Sequence, residues 1–257
     1  MSLTAGKYTV GVDLTTKEGK EKLWALLEGA DVVLQAFRRR SLERKGFGLN
    51  DVLAMANKRG KGIVYMDLTC YGPDGTFSER PGYQQIADAA SGVSYVLGKA
   101  YGYDEGVAVL PSLPISDMLT GVSGVVGVLI GLRERATSGG SYHIDAALTA
   151  TNMIQVTEAF GLYPPETVQK LQDTYQYDPM TPELSMDDIL HVVVKAWLEH
   201  GKAIAKKEYY VNFEESPFGK DHTILAPVVR FGNKSVSPYW KHSPVPYCHS
   251  TEVKWSS

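Results

Sequence analysis

The chain has 257 residues, 44% of them hydrophobic and 21% charged. That suits one large or two modest globular domains with a real core. A net charge of −3 gives no global pull toward nucleic acid or acidic membranes. Two cysteines, Cys70 and Cys248, exclude a dense disulfide framework and fit a reducing compartment.

The N-terminus, MSLTAGKYTV, lacks the basic-then-apolar layout of a signal peptide. The stretch TVGVDLTTKEGKEKLWALLEGADVVLQAF reads as strand, helix, strand. Thr15 or Thr16 caps the helix, Leu23, Leu26 and Leu27 form its apolar face, and Gly29 closes it. LNDVLAMANKRGKG is a second amphipathic helix with Asn50 as its cap, and GIVYMDLTCYG is a second strand ending in the turn GPDG. Strands alternating with helices predict a parallel sheet with helices on its faces. One helix is expected over YQQIADAASGVSYVLG and another from Asp117. A strand in SYHIDAAL and a helix around 149–161 follow. YPP at 163–165 interrupts the pattern, and beyond it come one charged helix and a Pro- and Tyr-rich irregular tail. The expected division is therefore 1–160 and 161–257. No glycine-rich phosphate loop precedes the first apolar strand, so the sheet reads as incomplete at its N-terminal side. The longest apolar run, Leu119 to Leu132, is shorter than the about 20 residues that a bilayer requires, so a soluble, cytoplasmic protein is expected.

Four features carry candidate chemistry. Asp117 stands at the mouth of an apolar run spaced by Gly121, Gly124, Gly127 and Gly131. It reads either as a helix cap or as a carboxylate held ready for nucleophilic attack. The glycines leave a bare helix face for close packing, or for a flat ligand. Arg38, Arg39, Arg40, Arg44 and Lys45 follow a strand end, where open sheets bind ligands; they suit phosphate groups, and a solvated basic loop or a nucleic-acid contact is the other reading. Gly82, Tyr83 and Gln84 form a loop-to-helix junction fit to line a pocket or merely to start a core helix. The six histidines read as structural, and no His/Cys cluster has metal-ligand spacing.

Taken in order, VDLTTKEGKEKLWALLEGADVVLQAFRRRSLERKGFG, GIVYMDLTCYGPDGTFSERPGYQQIADAASG and SDMLTGVSGVVGVLIGLRERATSGGSYHIDAAL resemble the class III CoA-transferase family. That family includes formyl-CoA and carnitine CoA-transferases and alpha-methylacyl-CoA racemase. The likeness runs over about residues 8–160. It implies a Rossmann-like α/β large domain with a smaller second domain, an interlocked homodimer and acyl-CoA as substrate; charge, residue spacing and the short apolar run add the expectation of no metal, nucleic acid or membrane. The family's nucleophilic aspartate falls on Asp117. Arg44 matches the arginine that contacts CoA phosphates, Phe37 and Arg38 stand in the segment that packs around the nucleotide, and Tyr83, between Gly82 and Gln84, lines the acyl site. The racemase branch resembles Gly-His-Asp where this chain has Gly82-Tyr83-Gln84, and a phenol is too weak a base at neutral pH to replace that histidine. CoA transfer is therefore favoured over racemisation. The family's Asn-Phe-Arg-Pro-Gly motif stands here as Ala36-Phe37-Arg38-Arg39-Arg40. That departure, with the expected absence of the first strand and turn, leaves other outcomes open. They are a partner supplying the missing part, a CoA-independent isomerase, cyclase or lyase, and an inactive interaction subunit.

Overall fold

The computed structural model describes residues 2–157, 161–201, 206–233, 235–250 and 255. The chain divides into two compact units. One comprises Met1–Gly29 with Gly201–Ser257, and the other Ala30–His200. The division at residue 160 drawn from the sequence thus runs through the second unit. The reason is a buried cluster of Val109, Met180, Ile189 and Val193, which ties the chain beyond 160 to the chain before it.

In the first unit, helix α1 (Lys17–Gly29) starts as expected, with the Thr16 hydroxyl accepting the Gly19 N–H at 3.0 Å. The strand anticipated around Val10 to Leu14 is not formed. That segment is instead held by single contacts to the tail: Thr9 Oγ1 donates to the Pro246 carbonyl at 2.6 Å, and the Ser250 N–H donates to the Thr9 carbonyl at 2.9 Å. The tail is also less irregular than its composition implies. Strands β4 (Tyr210–Ser216) and β5 (Gly219–Leu225) pair as an antiparallel hairpin.

The second unit is built on a parallel sheet in the order β1 (Val32–Gln35), β2 (Val64–Thr69), β3 (Tyr142–Ala147). Its central strand carries the apolar run that the sequence predicts, and Val64, Tyr65 and Met66 are buried. Helix α2 (Leu49–Lys58) joins β1 to β2. Its cap is Gly48 rather than Asn50, because the Asp51 carboxylate accepts the Gly48 N–H at 2.9 Å. The single helix expected over 83–98 is two, α3 (Gln84–Ala90) and α4 (Val93–Ala100). Gly92, at φ +82°, turns the chain between them. Helices α6 (Leu148–Val156), α7 (Pro165–Tyr175) and α8 (Met186–His200) complete the unit. Residues 158–160 and 202–205, in the expected extensions of two helices, lie outside the described residues.

Helix α5 (Ile115–Ser138) positions the candidate site. Its buried face consists of Ser116, Thr120, Gly124 and Gly131, spaced by four, four and seven residues, which brings small side chains to one side. A methyl group added to Gly124 would lie 2.0 Å from Met66 Cε, and one added to Gly127 2.8 Å from Ile144 Cγ2. The glycine spacing therefore serves close packing on the sheet. Gly121 takes no part, with open space where its side chain would be. At the far end Arg135 Nη2 sits 2.9 Å from Asp31 Oδ1, and its guanidinium also donates to the Gly62 carbonyl at 3.1 Å.

The opposite face of α5 is apolar and exposed, with Met118, Val122, Val125 and Leu129 each more than half accessible. As a whole this helix is long and apolar enough to cross a membrane by length and composition, although its most apolar core run is shorter. Gly127→Leu is expected to destabilise the chain by about 3 kcal/mol, the upper end of the cost of overpacking, as read from urea unfolding. A loss below about 0.5 kcal/mol, the level of an indifferent surface change, would show that α5 does not bear on the sheet through this face.

Candidate active site

The loops that leave the carboxyl ends of the three parallel strands converge. Phe37 and Arg38 follow β1, Cys70 follows β2 and Leu148 follows β3. With Gly82, Tyr83, Gln84 and Asp117 they line one cleft of about 420 Å³. This is where an open α/β sheet binds ligands, because the strand ends leave a crevice that only loops and helix starts can fill.

The structure thus brings together Phe37, Arg38, Gly82, Tyr83, Gln84 and Asp117, six residues marked in the sequence. Arg44 is not among the lining residues; it is exposed on a 3-10 turn, Glu43–Lys45. Phe37, Arg38 and Arg39 also line an adjoining cleft of about 360 Å³, where Arg40 joins them.

Asp117 does not cap its helix. α5 starts two residues earlier, after Pro114, and no side chain caps its first turn. Its side chain is free to face the cleft. Partial burial, and to a lesser degree the negative charge of Asp88, raise its carboxyl above the ordinary aspartate range. Gly82 is required by contact rather than by backbone angle. A methyl group there would lie 2.3 Å from Cys70 Sγ and 2.8 Å from Tyr71 Cε2. Next to it Tyr83 is exposed, and the Arg38 guanidinium stacks over its ring at 5.5 Å. Burial pushes the Cys70 thiol up, so it is no ready nucleophile.

Sequence reasoning missed the layer behind the cleft. Asp88, 1% exposed, accepts hydrogen bonds from Gln84 Nε2 at 2.7 Å and from Ser116 Oγ and Asn152 Nδ2, both at 2.8 Å. The only local signal was Gln84 and Asp88 at positions i and i+4, one turn apart on a helix. Ser116 and Asn152 are distant in sequence and carried none.

A second cluster forms across the sheet. The strand register sets Asp67 beside Asp145, and His143 Nε2 lies 2.7 Å from Asp67 Oδ2. One donor atom from each of Asp67, His143 and Asp145 lies within 4.8 Å of the others, so these residues could hold a metal ion. Gln35 Nε2 donates to the other Asp67 oxygen. The sequence shows no such spacing because the pairing of β2 with β3 creates it. His143, read from the sequence as structural like the other histidines, is thus part of a polar row.

The model of CoA-transferase family III matches residues 1–185. The chain belongs to this family. An acyl-CoA transferase of Gibberella moniliformis is 46% identical over 256 residues, which cover 100% of this chain and 45% of that protein. The beta subunit of succinyl-CoA–L-malate CoA-transferase of Chloroflexus aurantiacus is 34% identical over 167 residues, 63% of this chain and 39% of the other. The chain thus spans less than half the length of these family III relatives. In structure it resembles a point mutant of Rv3272 from Mycobacterium tuberculosis, with a TM-score of 0.66 and 19% identity over 96% of this chain and 81% of the other. It also resembles a CAIB/BAIF family protein from Brucella suis, with a TM-score of 0.64 and 16% identity over 95% and 80%. These two likenesses establish the family III fold and nothing finer.

The raised Asp117 carboxyl has a consequence for stability. Its proton is held to higher pH in the folded chain than in the unfolded one, so ionising it at neutral pH costs the fold. Asp117→Asn is therefore expected to raise the urea midpoint slightly at pH 7. The gain should shrink as pH falls through the carboxyl's titration range, where the wild-type side chain also becomes neutral. A lower midpoint for Asp117→Asn at pH 7 would contradict this.

Proposed function

We propose that the chain moves CoA from an acyl-CoA donor to a carboxylate acceptor, with Asp117 as the nucleophile. An Asp117 oxygen attacks the thioester carbonyl, and the C–S bond breaks to give a mixed anhydride and CoA thiolate. The thiolate attacks the aspartyl carbon of the anhydride, which frees the donor's carboxylate and leaves an aspartyl-CoA thioester. The acceptor carboxylate attacks that thioester and expels the thiolate. The thiolate then takes the acceptor's acyl carbon, so the new acyl-CoA leaves and Asp117 is restored. No water is consumed and no redox partner is needed.

The observation that carries this reading is a single carboxyl, raised above the ordinary aspartate range, at the carboxyl end of a family III sheet and in one cleft with Arg38, Arg39 and Arg80. A carboxylate of raised pKa is the stronger nucleophile once ionised. Phe37 and Arg38 hold the nucleotide side of CoA, with charge-assisted hydrogen bonds from the arginines to phosphate oxygens. Arg44, on the adjoining turn, is assigned a second phosphate contact. Gly82, Tyr83 and Gln84 border the acyl group. Relatives named for succinyl-CoA and malate support a carboxylate acceptor. The homodimer implied by the resemblance belongs to the same reading, supported by the exposed apolar face of α5.

Asp117→Asn is expected to abolish turnover while CoA binding, read by calorimetric titration, changes less than about threefold. Arg38→Ala and Arg44→Ala are expected to weaken CoA binding by roughly tenfold or more, the worth of a hydrogen bond to a charged group. Wild-type turnover by Asp117→Asn would sink the nucleophile assignment. Unchanged CoA affinity in both arginine variants would remove the phosphate assignment.

A further inference from the structure

Among the described residues, the proposed chemistry leaves one buried carboxyl group without a task. Asp88 is enclosed between α3, α5 and α6, and its three hydrogen-bond donors, Gln84, Ser116 and Asn152, are all neutral. Among the described residues it makes no ion pair. A buried carboxylate satisfied only by neutral dipoles costs stability compared with an apolar side chain of the same volume. A core position with no other task would carry the cheaper residue.

The identity of the donors shows what the carboxylate grips. Ser116 directly precedes Asp117 and is 2% exposed. Its hydroxyl is tied to Asp88, and its carbonyl accepts the Thr120 hydroxyl at 2.6 Å. The first turn of α5, which lacks a side-chain cap, is thus fixed from the side by a contact one residue away from the candidate nucleophile. Gln84 directly follows Tyr83, and its amide reaches Asp88 and, at 3.5 Å, the Leu113 carbonyl just before α5. One carboxylate therefore holds both walls of the cleft, the Gly82–Gln84 junction and the start of α5. Asn152 ties the same group to α6, whose first residue, Leu148, also lines the cleft.

We infer that Asp88 is a positioning residue for Asp117, fixing the first turn of α5 against the Gly82–Gln84 wall so that the Asp117 carboxyl faces the bound thioester. The inference rests on the reading of Asp117 as nucleophile. Electrostatics act in the same direction. Asp117 faces Arg38 and Arg39 from the segment after β1, Cys70 after β2, and Arg80 and Tyr83 from the loop before α3. α6 contributes no titratable group to the cleft. Asp88 is the negative charge behind it and, after burial, keeps the proton affinity of Asp117 up.

The test uses the full chain with Asp88→Asn, Ser116→Ala and Asp117→Asn, followed by turnover against pH and by 13C NMR titration of the Asp117 side chain. Asp88→Asn is expected to move the Asp117 titration and the acid limb of the turnover profile to lower pH. It should also lower kcat by about 10- to 100-fold, the scale of a misplaced reacting group, with CoA affinity changed less than twofold. Ser116→Ala removes one donor and no charge. It should lower kcat by a smaller factor and leave the Asp117 titration in place, and it is the variant that decides should Asp88→Asn fail to fold. If both variants turn over at the wild-type rate while Asp117→Asn is dead, the positioning role is overturned and the nucleophile stands. If Asp117→Asn itself retains turnover, the nucleophile reading has failed, which is a different result.

Discussion

The close approach of α5 to the parallel sheet is the constraint on which the rest depends. Ser116, Thr120, Gly124 and Gly131 form a face with almost no side-chain height, and Gly127 leaves room for Ile144 beside it. Met66, Ile144 and Val64 fill the space that larger residues on the helix would take. Interiors pack at the density of organic crystals, so a helix seated this tightly has little freedom to slide or roll. Its far end is pinned by Arg135 on Asp31 and on the Gly62 carbonyl. A carboxyl in the first turn of such a helix inherits a fixed place over the strand ends.

The polar layer completes what packing begins. Asp117 has no hydrogen-bonding cap role, and it shares its cleft with Arg38, Arg39 and Arg80. Partial burial, and after it the charge of Asp88, raise its carboxyl above the ordinary aspartate range. The same Asp88 carboxylate joins three helices through Gln84, Ser116 and Asn152. One buried group thus touches both walls of the candidate site and adds to the shift of Asp117. On the solvent side, Arg38 stacks on Tyr83 and lines both adjoining clefts, which suits a ligand with phosphates in one and a reactive acyl end in the other.

Much of this was legible in the sequence, and the failures have physical causes. The strand around Tyr65 was readable because a buried parallel strand is a short apolar run between turn residues. Those around Val33 and Ile144 were readable as short segments between helical patterns, although neither is fully buried. Asp117 and Gly82 were readable from their neighbours and from the family resemblance, although the reason for Gly82 is contact with Cys70 and not a turn. The strand expected near Val10 failed because an apolar run needs a ladder partner, and Thr9 instead meets Pro246 and Ser250 singly. The β4–β5 hairpin was hidden in a tail whose Pro and Tyr content reads as irregular. The Asp88 network and the Asp67–His143–Asp145 row depend on contacts between residues dozens of positions apart. No local pattern marks such contacts.

The most direct test of the central claim is to trap the intermediate. The purified chain would be incubated with an acyl-CoA, quenched in acid, and its peptides mapped by mass spectrometry, with Asp117→Asn as control. The account predicts an acyl or CoA adduct on the peptide bearing Asp117, released by hydroxylamine and absent from Asp117→Asn. An adduct on Cys70 or another residue, or turnover with no adduct on Asp117, would contradict it.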